Sequence, residues 1–174
     1  MGAKALSAGQ SVRASGVMGH DCTRRCSGQP GARHVRFRVF HGLDVRAEDG
    51  VGNRNARIQT WQCFGSANQE WGIVFAGQYG GKDYFEFAGK TTGSLCMEVR
   101  GSSFADGAQV DQFLCAPDAN QLWRLERGND NNHFTLVNVN SGKCLDVSGN
   151  STANGAKVQQ WYCNGSDAQG FAFG

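Results

Sequence analysis

The chain carries seven cysteines, and four of them are regularly placed. Cys96 and Cys115 stand nineteen positions apart, and so do Cys144 and Cys163. Equal spacing at equivalent places predicts a disulfide closing each of two similar loops, a constraint worth roughly 3 kcal/mol in the chain-entropy account. Cys63 lacks such a partner, because Gly42 stands where the other copies have cysteine, and pairing with Cys22 or Cys26 or a free thiol all stay open. Beside the cysteines fall a carboxylate (Asp44, Glu98, Asp146) and an aromatic ring (Trp61, Phe113, Trp161). The carboxylates recur one per copy instead of pairing in one cleft, so they do not form the acid–base couple an enzyme requires, and no catalytic residue is expected. His20, Cys22 and Cys26 contain a single Cys-x3-Cys without the second ligand pair of a zinc site, so no metal is expected either.

The elements that must hold these residues are short strands. From Lys143 to Phe173 the apolar residues come in runs of a few, broken by Gly, Asn and Ser, with an Asn-Gly turn at Asn154-Gly155 and no helical period. The same text is written three times. Cys96, Glu98, Asp106-Gly107, Phe113, Cys115 and Gln121-Leu122-Trp123 stand for Cys144, Asp146, Asn154-Gly155, Trp161, Cys163 and Gln169-Gly170-Phe171. One copy further back are Asp44, Trp61, Cys63 and Gln69-Glu70-Trp71. The glutamines at 69, 121 and 169 set a period of 52 and then 48 residues. A unit repeated at that period is too small to bury its own apolar face, and three copies are enough to close a core. The repeats are expected at about 35–83, 84–130 and 131–174. Glycine, 25 of 174 residues, is about twice its ordinary frequency. With 40% hydrophobic content, that is the composition of a turn-rich all-β domain and not of a disordered chain. The first hairpin, built on Val35, Phe37, Val39 and Phe40, lacks the Gly-Lys turn and is expected to be shortened or differently built.

Residues 1–34 differ in kind. Up to position 38 the chain carries Lys4, Arg13, Arg24, Arg25, Arg33, Arg36 and Arg38 against Asp21 alone. A flexible basic arm outside the domain is predicted, with residues 35–174 forming the domain. Neither aromatic interleaving nor a recognised motif supports a nucleic-acid partner. No apolar run is long enough for a membrane span, and the arm lacks the apolar core of a signal peptide.

The Leu-Asp-Val-like step, the Val/Ile-Gln-x-Trp run, the following cysteine and the closing Gln-x-Trp, taken three times, resemble the ricin B-chain-type lectin domain. The likeness covers roughly residues 37 to 174, and the triple recurrence carries it. The resemblance implies a β-trefoil, in which twelve strands make a six-stranded barrel capped by three hairpins. It also implies shallow sugar pockets, at most one per unit. A sugar has hydroxyls on its rim and an apolar face of C–H groups. A partly exposed ring covers that face, a carboxylate accepts from two neighbouring hydroxyls, and amides supply the rest. The resemblance places these roles on Asp44, Gln59, Trp61, Asn68 and Gln69 in unit one. In unit three it places them on Asp146, Gln159, Trp161 and Gln169, with Ala168 in place of the asparagine. Unit two departs, with Glu98, Asp111 and Phe113. Its extra methylene is expected to push the carboxylate into the pocket beside a second charge, and no binding is expected there.

Each role has a structural alternative. Trp71, Trp123 and Phe171 suit a shared core, Gln69, Gln121 and Gln169 could bond backbone at strand ends, and Asp44 and Asp146 could stabilise turns. The expected function is non-catalytic carbohydrate binding by units one and three, unit one the better, to galactose- or xylose-type sugars on glycans or polysaccharides. A role beside a glycoside hydrolase follows from the resemblance. The alternative is an inhibitor- or cytokine-like interaction trefoil without sugar sites. No cofactor is expected. The resemblance and the paired cysteines imply a secreted protein, against the missing signal core.

Overall fold

The computed structural model describes residues 34–39, 42–48, 52–128 and 133–174. Residues 1–33 of the expected basic arm, with His20, Cys22 and Cys26, lie outside them, and its last residue, His34, belongs to a strand. Thirteen strands are found among the described residues, in chain order β1 (His34–Val35), β2 (Phe37–Val39), β3 (Asp44–Ala47), β4 (Ile58–Trp61), β5 (Trp71–Tyr79), β6 (Lys82–Gly89), β7 (Leu95–Val99), β8 (Val110–Leu114), β9 (Trp123–Arg127), β10 (Phe134–Asn138), β11 (Cys144–Val147), β12 (Val158–Trp161) and β13 (Phe171–Phe173).

Six strand positions close a barrel. β5 pairs β6, β6 pairs β9, β9 pairs β10, β10 pairs β13 and β13 pairs β2, all antiparallel. β1, separated from β2 by Arg36 alone, returns to β5 and completes the ring. The hairpins β3–β4, β7–β8 and β11–β12 hang from it, one per unit. This is a β-trefoil, with units β2–β5, β6–β9 and β10–β13.

The apolar positions of the repeat recur in threes. Val45, Met97 and Leu145 are one set, Ile58, Val110 and Val158 another, and Trp71, Trp123 and Phe171 a third, all buried in one cluster. None of the units could close such a core alone. The indole nitrogens of Trp71 and Trp123 donate to the carbonyls of Val45 and Met97, each at 3.1 Å, so these rings pack inside without orphaning their polar edge.

The units also interlock through their turns. Asn55 N donates to Gln112 O at 2.8 Å, Gly107 N to Gln160 O at 2.8 Å, and Gly155 N to Thr60 O at 2.7 Å. Each turn thus grips a strand of the next unit around the axis. The gripping residue has φ of 69°, 78° and 79° respectively, a left-handed conformation that glycine, or asparagine at the lowest cost among the others, can hold.

Both expected disulfides are present, Cys96–Cys115 and Cys144–Cys163. Cys63 is also disulfide-bonded.

Candidate functional site

In unit three Asp146 sits mid-strand on β11, directly across from Gln159 on β12. Gln159 Nε2 donates to one carboxylate oxygen at 3.0 Å and Gln169 Nε2 to the other at 3.1 Å. Burial pushes the Asp146 carboxyl above the usual range, and the two amide donors pull it part of the way back. Asp146 lines an open cavity of about 360 Å³ together with Gln159, Trp161, Asn164, Ala168 and the turn Ser148–Asn150. Trp161 is half-buried, so part of its ring faces the cavity. A Cβ added at Gly107 of unit two would lie 3.5 Å from that ring. Asn164 and the Ser148–Asn150 turn were not anticipated. The recurrence of a short polar turn after the Asp or Glu strand (Arg100–Ser102 in unit two) was the available signal.

Gln169 does more than touch the site. Its Oε1 accepts from Asn164 N at 2.9 Å, and its Nε2 also reaches Tyr162 O at 2.9 Å. Gln121 and Gln69 staple their own loops alike, to Ala116 N and Leu114 O in unit two and to Phe64 N and Gln62 O in unit one. All three glutamines are buried, so they position the loop and, where one exists, the carboxylate.

Unit two keeps a carboxylate in register, Glu98 opposite Asp111. The extra methylene does not push it outward. Glu98 folds back to accept from Gln121 Nε2 at 2.9 Å and Asn120 Nδ2 at 3.4 Å, and it is buried. Asp111 is fully buried and held by the Arg100 guanidinium, which also donates to Asn55 O at 3.0 Å. Burial raises both carboxyls above their ordinary range. The ring beside them is Phe113.

Unit one corrects the sequence alignment. On the β3–β4 ladder Asp44 lies opposite Trp61, and Arg46 opposite Gln59. In units two and three the residues opposite the ring are Cys96 and Cys144, and those opposite the next inward residue are Glu98 and Asp146. Asp44 therefore occupies the half-cystine position, not Gly42, and Arg46 occupies the carboxylate position. The offset is visible in the spacing, since Asp146 precedes Trp161 by fifteen positions, Glu98 precedes Phe113 by fifteen, and Asp44 precedes Trp61 by seventeen. Asp44 is fully buried, 3.7 Å from Arg38 Nε, too far for a hydrogen bond. Burial raises its carboxyl, against the opposing pull of Arg38 and Arg36. The Arg46 guanidinium lies 4.0 Å from the centroid of the Trp61 ring. Asn68 donates to Ala47 O at 3.2 Å, as Asn120 does to Val99 O at 3.0 Å. Of the five residues expected here, Asp44, Gln59 and Trp61 share a hairpin face, with Asp44 opposite Trp61 and one rung away from Gln59, and Asn68 and Gln69 brace the hairpin from behind the loop.

Among the described residues no cluster of three or more His, Cys, Asp and Glu could hold a metal ion, and no helix is long and apolar enough to cross a membrane.

A family model described as ricin-type beta-trefoil lectin domain-like matches residues 35–113 and 119–173. Among solved structures, the designed threefold-symmetric protein ThreeFoil is 30% identical at a TM-score of 0.75, over 80% of this chain and 96% of its own. An exo-beta-1,3-galactanase from Clostridium thermocellum is 26% identical at a TM-score of 0.74, over 83% of this chain but only 30% of the enzyme. The Rhizoctonia solani agglutinin shares the fold at 15% identity and a TM-score of 0.67, over 85% of this chain and 98% of its own. The chain likewise spans 17% of a mosquitocidal holotoxin and 29% of the hemolytic lectin CEL-III. No curated protein matches it in sequence.

Proposed function

The chain belongs to the ricin-type β-trefoil lectin-like family, and from that premise we propose that it binds carbohydrate non-catalytically through the pocket of unit three. One observation carries this reading. Asp146 is fixed by two amide donors and lines an open cavity that a half-buried tryptophan also lines. A carboxylate so fixed accepts from two adjacent sugar hydroxyls while the indole covers the C–H face. Both requirements suit a neutral hexose or pentose of the galactose or xylose type. The carboxylate pair of unit two does not support hydrolysis, because Asp111 is fully buried beneath Arg100 and cannot meet a glycosidic oxygen. Unit two is assigned no sugar, and unit one, without a carboxylate in register, is not the better neutral-sugar site.

A single shallow site gives weak binding, and avidity must come from repetition along a polysaccharide or from a linked module. The galactanase likeness supports a place beside a polysaccharide-degrading enzyme, and the disulfides support an oxidising, extracellular setting.

The test is retention on immobilised galactose, lactose or xylan with release by the free sugar. Asp146→Ala should lower affinity roughly ten- to a hundredfold, the worth of charge-assisted hydrogen bonds, with unchanged circular dichroism. Binding that Asp146→Ala leaves intact, or no retention on any sugar, would favour an interaction trefoil instead.

A further inference from the structure

Unit three sets a second aromatic ring beside the one that lines its pocket. Tyr162 follows Trp161 directly, the two ring centroids lie 6.2 Å apart, and the ring planes are inclined at 42°. Tyr162 is 55% exposed. A lone exposed aromatic is common and needs no explanation, but two features set this one apart. Its backbone is pinned on both sides. The Tyr162 carbonyl accepts from Gln169 Nε2 at 2.9 Å, Trp161 pairs Cys144 on the last rung of the β11–β12 ladder, and Cys163 is disulfide-bonded to that same Cys144. The paired rings also occur where Asp146, Gln159 and Trp161 line one cavity. In unit two, whose Glu98 and Asp111 are taken up internally, and in unit one, with Arg46 in the carboxylate position, the residues after the ring are Leu114 and Gln62.

At about 360 Å³ the cavity stands at the small end of the range that ligand pockets occupy, roughly 300–1,000 Å³. A glycan longer than the residue it holds must leave over the surface. Two neighbours bound the Trp161 ring. The Gly107 turn abuts its edge, where an added Cβ would lie 3.5 Å away, and Tyr162 stands beside it open to solvent. Tyrosine offers a broad, rigid surface at low entropic cost, with a hydroxyl that both donates and accepts. The inclination of the two rings suits successive pyranose residues, whose mean planes are not parallel in a twisted chain. We propose that Tyr162 forms a second subsite of unit three, so that this site reads a chain of at least two pyranose residues and not a lone sugar. The proposal rests on the lectin reading above and narrows its ligand to an oligosaccharide or polysaccharide. A second contact on the same chain raises the affinity of one shallow site without a second unit.

The experiment follows the Trp161 indole N–H signal in the full chain by nuclear magnetic resonance. Methyl β-galactopyranoside is titrated against β-1,3-galactobiose, and xylose against xylobiose. In at least one pair the disaccharide should reach half of its full shift at a concentration roughly three- to tenfold lower, the worth of one more aromatic contact. Tyr162→Ala should bring that ratio to about one, and Tyr162→Phe, which keeps the ring, should retain most of it. Unmoved signals from Trp71 and Trp123, both bonded inside the core, report that each variant is folded. The proposal is overturned if each disaccharide only matches its monosaccharide in the parent chain. It is overturned equally if Tyr162→Ala keeps the ratio, since the second residue then rests elsewhere. Failure of the unit-three reading looks different. Either no sugar shifts Trp161 or Asp146→Ala leaves the shifts intact, and the second subsite falls with it.

Discussion

The carboxylate of Asp146 is asked to do two things that pull in opposite directions. It must be ionised to accept sugar hydroxyls, yet it lies against the protein where ionisation is costly. Because its folded-state proton affinity is raised, the protonated form persists to higher pH than for an ordinary aspartate near 3.9. Two consequences have opposite sign. The contribution of this group to folding is largest below the unfolded value and declines as pH rises through the raised one. Sugar binding is lost as pH falls through that same raised value. We expect affinity for the neutral sugar to drop between neutral pH and about pH 4 with a midpoint above that of a free aspartate. Calorimetric titration across that range checks it. A midpoint at or below the ordinary value would mean that the amides of Gln159 and Gln169 outweigh burial.

At the scale of the element, the glutamine that opens each closing tripeptide holds a loop shut from inside. Gln69, Gln121 and Gln169 spend both ends of their amides on backbone of the loop before them. In units two and three the same nitrogen also reaches the carboxylate of the neighbouring hairpin. Gln69 has no such carboxylate to reach, because Arg46 stands there. Truncation should therefore separate the roles. Gln69→Ala and Gln169→Ala should each cost about 1–3 kcal/mol of stability by leaving buried backbone groups unpaired, read by chemical denaturation. Only Gln169→Ala should also weaken neutral-sugar binding. Equal effects on sugar would show that the loops, and not the carboxylate anchor, govern the site.

Taken as a whole, the molecule sets the candidate pocket of unit three against a turn of unit two. The Gly107 turn belongs to unit two, yet it grips β12 of unit three and bears on Trp161. With φ of 78° this position strains any β-branched side chain, at roughly 1–3 kcal/mol, and a larger residue would also crowd the ring and Gln159 Oε1. Gly107→Val should accordingly weaken sugar binding in unit three although no unit-three residue changes. Gly107→Asn should be the milder change, since Asn55 holds the equivalent left-handed position with φ of 69°. Comparing both variants by thermal unfolding and sugar titration tests the coupling, and an unaltered affinity in Gly107→Val would make the units independent.

The sequence by itself determined the threefold repeat, the all-β class, the shared core and both loop disulfides. These rest on periodicity and on paired spacing, which survive translation from chain to space because each repeat folds the same way. Spacing also placed Asp146, Gln159 and Trp161 on one hairpin. What it left undecided was register in the first unit. There the Leu43-Asp44-Val45 step imitates the Leu145-Asp146-Val147 step, but two positions away from the ladder partner that counts. Strand side chains alternate faces with a period of two, so that shift keeps Asp44 on the expected face while moving it one rung along. Only pairing across β3 and β4 shows that Arg46 faces Gln59. The fates of Glu98 and Asp111 were likewise decided in space. One folds back on amides some twenty residues away, and the other is covered by Arg100, eleven positions earlier in the chain. Charge composition fixes how many ionic groups a repeat carries, whereas tertiary packing fixes which of them meet solvent, a partner or a ligand.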